Sequence, residues 1–279
     1  MNFKKRKAIW VLIGLICLTK FGMAQNPLIP DYTSNPKKQW ETKFDAFQFR
    51  ALEKDRHVLP YRFYRPQNLK KGKRYPLVIF LHGAGERGID NRSQFQRFNP
   101  VMFWEKYPCF VIAPECPAKT PKTTYAESVW VDTPYGAGMH HMNIEPTWPM
   151  QLAMSLIQQI IEENQIDTDR VYVTGLSMGG FATWEILQRE GNLFDAAMPI
   201  CGGADLDYAS KLVGIPLWVF HGGDDHTVPV ARSRDMVNAI KKAGGNPKYT
   251  EYPGVDHNSW TQTYGNSKVW DWLFKQVRK

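Results

Sequence analysis

The chain has 279 residues, 43% of them hydrophobic and 22% charged, enough to bury most of its apolar surface without disulfides or metals. A mean hydropathy of −0.43 with 10 Trp, 12 Tyr and 15 Phe excludes a disordered chain and a polytopic membrane protein. The net charge is +8, but Lys4, Lys5, Arg6, Lys7 and Lys20 all fall in the first 24 residues with no acid among them, so the remainder carries +3. So small and scattered an excess makes no case for a nucleic-acid partner.

The first 24 residues read as a secretory signal peptide. Lys4 to Lys7 form its cationic start, and Ala8 to Leu18 form an apolar run of export length. Gly22 and Ala24 supply the small residues a signal peptidase requires, placing cleavage before Gln25. A membrane span needs about 20 apolar residues, and Lys20 interrupts this run. The expectation is therefore a secreted or periplasmic protein, a single domain over 25–279, with no stable membrane anchor after cleavage. Cys17 leaves with the signal, and Cys109, Cys116 and Cys201 remain. An odd count is no disulfide framework, so buried free thiols are expected.

Next come two β-rich stretches. Phe47 to Leu52 alternates apolar and polar residues, and Leu59 to Tyr64 does so roughly. Alternation implies one wet face, hence antiparallel strands at an edge. The pattern then changes to short apolar runs at Leu77–Leu81, Phe110–Ala113, Val171–Thr174, Ala196–Ile200 and Leu217–Phe220. Such runs suit a parallel sheet covered on both faces. Between them lie helical periodicities: Leu152 to Ile161, Phe181 to Gln188, Met236 to Ile240 and Val269 to Val277. Strands alternating with helices predict a doubly wound, mostly parallel α/β domain with antiparallel N-terminal strands. The stretch Pro117 to Pro149 is irregular and rich in Pro, Trp, Tyr, Met and His, and it is read as a cap or binding insertion.

Gly175-Leu-Ser177-Met-Gly179 lies between the strand ending at Thr174 and the helix beginning near Phe181. A serine exposed on a strained strand-to-helix turn needs small residues on both sides, which G-x-S-x-G supplies. A serine nucleophile needs a base and an orienting acid. Asp225 follows the strand Leu217–Phe220, and His257 lies in a loop before the last helix. The order Ser, acid, His is that of the α/β-hydrolases. In this reading His257 takes the Ser177 proton and Asp225 steadies the imidazole. Met178, following the nucleophile, is expected to offer one oxyanion-hole N–H. The turn His82-Gly-Ala84-Gly85 should offer the other, from Ala84 in preference to Gly85.

The set Leu81-His-Gly-Ala-Gly-Glu-Arg-Gly88, Gly175-Leu-Ser-Met-Gly-Gly180, Asp225-His-Thr-Val-Pro229 and His257-Asn-Ser-Trp260 resembles the α/β-hydrolase serine esterases. It looks closest to the phospholipase/carboxylesterase-like group, which grades into polyhydroxybutyrate depolymerases and the feruloyl and acetyl esterases of carbohydrate esterase family 1. The resemblance runs from about Leu59 to the C-terminus. It implies the α/β-hydrolase fold, Ser177 as nucleophile, His257 as base and Asp225 rather than Asp224 as acid, because the family pattern counts two residues from its acid to Val-Pro. It implies an ester substrate and no cofactor.

Trp130, Tyr135, Trp148 and Trp260 are the candidate substrate contacts, flat surfaces suited to a sugar face or an aromatic acyl group. An exported esterase with such contacts is expected to act on short or aromatic acyl groups of carbohydrate, with acylated polysaccharide as partner. His82 and His221 directly follow strands and are read as loop-bracing. His140 and His141 are adjacent and so point apart, which argues against a shared metal. A general carboxylesterase or lipase is the alternative within the same chemistry, and two other readings stand beside the esterase. One is a peptidase resembling the prolyl oligopeptidase catalytic domain, although 279 residues leave no room for that family's propeller. The other is a non-enzymatic carbohydrate-binding scaffold, against which the intact Ser, Asp and His candidates speak.

Overall fold

A computed structural model describes residues 44–98, 101–118, 128–133, 135–136 and 140–278. The expected signal peptide, its cleavage site and Cys17 lie outside these residues. Eight strands form one sheet: β1 (Gln48–Lys54), β2 (His57–Tyr64), β3 (Tyr75–Leu81), β4 (Phe110–Pro114), β5 (Ile166–Leu176), β6 (Ala196–Ile200), β7 (Trp218–Gly222) and β8 (Lys248–Tyr252). Their order across the sheet is β1-β2-β4-β3-β5-β6-β7-β8. β1 and β2 run antiparallel to their neighbours, and the pairings from β4 to β8 are parallel. This is the α/β-hydrolase fold.

The apolar runs form central strands because both of their faces are covered. Successive side chains point to opposite faces, and the buried residues divide accordingly. Leu77, Ile79 and Leu81 of β3 join one core with Phe110, Ile112, Val171 and Val173. The alternate residues Val78 and Phe80 join a second core with Val111, Ala113 and Tyr172. The first core is covered by the helices α2 (Trp148–Glu163), α3 (Met178–Glu190) and α4 (Ala231–Lys242). The second is largely aromatic and gathers Phe95, Phe98 and Phe103, the last from the short α1 (Val101–Trp104). With them lie Trp260 and Tyr264 of α5 (Trp260–Tyr264) and Trp270 of α6 (Ser267–Leu273).

Three elements differ from the sequence expectation. β8 reads Lys-Tyr-Thr-Glu-Tyr and is half-exposed, because an edge strand covers only part of its surface and leaves no apolar run to detect. The last helix stops at Leu273 rather than continuing to Val277, which is exposed. Trp148 belongs to no loop: Thr147 caps α2 by accepting from Met150 N–H, and Trp148 is the first helical residue. The described part of the insertion is laced to its surroundings. Arg189 of α3 donates to the carbonyls of Asn143 and Ile144 at 2.7 and 3.0 Å, and Met142 N–H donates to Asp205 at 2.8 Å. Cys109, Cys116 and Cys201 are buried free thiols, as the odd count implied. Among the described residues no helix is long and apolar enough to cross a membrane.

The turn after β3, which carries Ala84, is pinned to the end of β4. Gly88 N–H donates to Cys116 O at 3.0 Å, and Asn91 N–H donates to the Glu115 carboxyl at 2.6 Å. Glu115 is fully buried and faces Asp90. Burial, reinforced by Asp90, pushes the Glu115 carboxyl up to about 9. A carboxyl whose folded pKa is raised holds its proton more tightly in the folded state. Stability is therefore lost as pH rises from about 4.5 toward about 9. Glu115→Gln keeps an acceptor for Asn91 and a donor for Asp90 but cannot ionise. We expect it to raise the melting temperature at pH 9 by about 3–6 °C, with little gain at pH 5. Thermal melts at both pH values check this, and an equal gain at both would contradict it.

Candidate active site

Ser177, Asp225 and His257 converge at the carboxyl ends of the parallel strands, where open α/β sheets build their sites. Ser177 follows β5 and begins the turn into α3 with φ 54° and ψ −120°. A side chain is rarely found at such backbone angles, so the surroundings must hold it there. They do so by main-chain contact. Ser177 N–H donates to Ile200 O, and Phe181 N–H donates to Ser177 O, both at 3.0 Å. The two glycines of the motif make the turn sterically feasible. A Cβ on Gly175 would lie 2.3 Å from Gly179 O, and one on Gly179 would lie 1.9 Å from Leu81 O. No side chain fits in either gap.

The acid and the histidine come from the loops after β7 and β8. His257 Nε2 lies 2.8 Å from Ser177 Oγ, and its Nδ1 lies 2.7 Å from Asp225 Oδ2. A carboxylate only accepts, so Nδ1 carries the hydrogen and Nε2 is left to accept from the serine hydroxyl. Asp225 Oδ1 accepts the backbone N–H groups of Thr227 and Val228 at 2.9 and 2.8 Å. Burial by itself would raise this carboxyl. Hydrogen bonds from His221, His257 and Val228 N–H outweigh it and hold Asp225 well below the usual carboxylate range. Asp224 is exposed and makes no contact with the imidazole, its backbone N–H donating to Val255 O. Asp256 accepts the backbone N–H groups of His257 and His226 at 2.7 and 3.0 Å, so it shapes the loop rather than the ring.

Met178 opens α3 directly after Ser177, and Ala84 opens a 3₁₀ turn (Ala84–Glu86) directly after β3. β3 and β5 are parallel neighbours with Leu81 opposite Gly175, so both turns begin just past adjacent strand ends. His82 braces the turn after β3, as expected. Its Nε2 accepts from Cys116 N–H at 2.8 Å and its Nδ1 donates to Gly83 O at 2.7 Å. Burial pushes this imidazole down to about 4.

The four aromatic candidates separate. Trp260 packs edge-on against His257, centroids 5.2 Å apart, with the Arg97 guanidinium 5.1 Å over its ring. Tyr135 is half-buried and tilts against Phe181 on the second turn of α3. Two expectations are corrected. Trp130 is fully buried, with its Nε1–H donating to His82 O at 3.1 Å, so it supports the turn from behind and offers no face to a substrate. Trp148, the first residue of α2, stacks on His57 of β2 at 4.3 Å, so that face of its ring is already covered.

Sequence reasoning missed Cys201, which follows β6 with a left-handed φ of 42°. Its Sγ lies within 4.8 Å of the ligand atoms of both Asp225 and His257. Burial pushes the thiol far up, so it is an inert wall of the site. The only signal was its place before Gly202-Gly203 at the end of the strand beside the serine. A second grouping among the described residues, His141, Asp205 and Asp207, also brings three ligand atoms within 4.8 Å. Both Asp205 oxygens there already accept backbone N–H groups.

Comparison with known proteins shows the family. The family model of phospholipase/carboxylesterases matches residues 68–268. The chain belongs to the phospholipase/carboxylesterase family. It is 36% identical to a thermostable esterase of known crystal structure, with a TM-score of 0.73 over 84% of this chain and 64% of that one. It is 31% identical over 166 residues to a bifunctional acetylxylan esterase/xylanase of Neocallimastix patriciarum, covering 58% of this chain and 21% of that protein. It is 25% identical to dipeptidyl-peptidase 5 of Aspergillus fumigatus over 74% of this chain and 31% of the relative. The chain thus spans about a fifth to a third of these curated relatives. A ferulic acid esterase shares the fold at a TM-score of 0.61 and 17% identity, over 82% of this chain and 98% of that one.

The geometry separates two neighbouring acids. Asp225→Asn keeps the side-chain shape but favours the wrong imidazole tautomer, and turnover of p-nitrophenyl acetate should fall by about 10⁴-fold. Asp224→Asn should stay within about twofold of the parent chain, since exposed substitutions of this kind cost little. Steady-state kinetics on both variants decides between them. A larger loss at Asp224 would reverse the assignment.

Proposed function

We propose that the protein is a serine esterase, acting outside the cytoplasm, that removes short or aromatic acyl groups from carbohydrate. The observation that carries the chemistry is the hydrogen-bonded series Ser177–His257–Asp225, at 2.8 and 2.7 Å, on a strained turn. In this reading His257 Nε2 takes the Ser177 proton as Oγ attacks the ester carbonyl. The oxyanion so formed is held by the backbone N–H groups of Met178 and Ala84. His257 returns the proton to the departing alcohol, leaving an acyl group on Ser177. Water activated by His257 then releases the acid and restores the serine. Asp225, ionised throughout, steadies the imidazolium that each step creates.

The substrate class is a separate matter from the chemistry. It is supported by the likeness to an acetylxylan esterase and by the half-buried Tyr135, which packs on Phe181 four residues after the serine. Export is supported by the leader read in residues 1–24 and by a 22% identical relative described as a secreted protein of Arthroderma benhamiae. The dipeptidyl-peptidase relatives keep a peptidase reading in view.

Turnover along p-nitrophenyl esters from acetate to palmitate, acid release from acetylated or feruloylated xylan, and cleavage of dipeptidyl anilides test the assignment together. The expected result is a maximum at short acyl chains, with acetate or ferulate released from xylan and no anilide cleavage. A maximum at long chains without release from xylan would make this a general carboxylesterase or lipase. Anilide cleavage exceeding ester cleavage would make it a peptidase.

A further inference from the structure

His221 stands in β7, fully buried, four residues before Asp225. Its Nδ1 lies 2.7 Å from Ser233 Oγ, at the start of α4. Its Nε2 lies 3.0 Å from Val228 O and 3.3 Å from Asp225 Oδ2. A carbonyl and a carboxylate both only accept, so Nε2 must carry a hydrogen, shared between them. The oxygen that receives it is the same Oδ2 that receives His257 Nδ1–H. Asp225 is therefore held by four donors: two main-chain N–H groups on Oδ1 and two imidazoles on Oδ2.

The two imidazoles are not equivalent. The His257 side chain is 19% exposed and faces Ser177, whereas the His221 side chain has no exposure and directs its two nitrogens to Ser233, Val228 O and Asp225. The far side of the His221 ring is closed by Ser233, whose hydroxyl also reaches Gly202 O at 3.0 Å. Gly202 in turn packs so closely on α3 that a Cβ there would meet Gly180 backbone at 2.5 Å. The ring is thus fixed by the same backbone that shapes the serine turn.

We infer that His221 is a positioning residue for the reaction: its Nε2–H fixes the rotation of the Asp225 carboxylate, so that Oδ2 presents a lone pair in line with His257 Nδ1–H. Bracing of the loop through Val228 O and Ser233 would account for a buried histidine. It would not account for the ring sharing Oδ2 with the proposed base. The inference rests on the Ser177–His257–Asp225 reading, and the test keeps the two apart.

The experiment is a double-mutant cycle on p-nitrophenyl acetate with His221→Phe and Asp225→Asn, alone and combined, in the full chain. His221→Phe should lower kcat by about 10- to 100-fold, the loss typical when an outer partner of a functional side chain is removed. KM should change little, because the ring does not face the substrate. In the Asp225→Asn background the same substitution should cost less than about threefold, since the interaction it removes is already gone. His221→Gln, which keeps an N–H donor near the Nε2 position, should recover most of kcat. If His221→Phe does not fold, His221→Met replaces it in the cycle. Equal losses in both backgrounds, or no recovery with glutamine, would reduce His221 to a structural brace and overturn the inference. Unimpaired turnover in Asp225→Asn alone would instead overturn the Ser177–His257–Asp225 reading.

Discussion

The arrangement depends on one local constraint, the forced turn at Ser177. A serine at φ 54° and ψ −120° is unfavourable by itself, typically by about 1–3 kcal/mol, and persists only because the sheet leaves no alternative. The end of β5 is hydrogen-bonded to Ile200 O, α3 starts at once, and Gly175 and Gly179 meet backbone where a methyl group would overlap. The strain serves to place the serine hydroxyl clear of the sheet, within reach of a histidine carried by a different loop.

The other partners arrive by the same logic of strand ends. The parallel strands β3, β5, β7 and β8 all point their carboxyl ends to one side, so Ser177, Asp225 and His257 meet although 80 positions separate the first from the last. Both oxygens of Asp225 are hydrogen-bonded rather than merely buried. Asp225 stays ionised because its donors outweigh its desolvation, and Glu115 stays protonated because burial and the neighbouring Asp90 outweigh Arg62 and the Asn91 N–H. These two carboxyls, both buried, take opposite states for reasons that lie in their hydrogen-bond partners.

The serine turn was legible because its steric demand is written directly as two glycines at fixed spacing. The central strands were legible because double-sided burial writes itself as unbroken apolar runs. Asp225 could be preferred to Asp224 from the position of Val228-Pro229, and the structure turns only Asp225 inward. What the sequence concealed are features decided by tertiary contact. β8 carries no apolar signature because it is an edge. Trp130 and Trp148 look like surface aromatics in a proline-rich segment, but one is buried behind the turn after β3 and the other starts a helix. The pairing of Glu115 with Asp90, and of His221 with Asp225, joins residues whose types suggest nothing until the fold places them face to face.

The claim on which the account rests is that Ser177 is the nucleophile, and covalent labelling tests it most directly. Incubating the parent chain and Ser177→Ala with a fluorophosphonate, then measuring intact mass and mapping the modified peptide, reads the nucleophile without reference to any substrate. The account predicts one adduct per parent chain, on Ser177, and none on a folded Ser177→Ala chain. An adduct on another residue, or labelling that persists in Ser177→Ala, would contradict it.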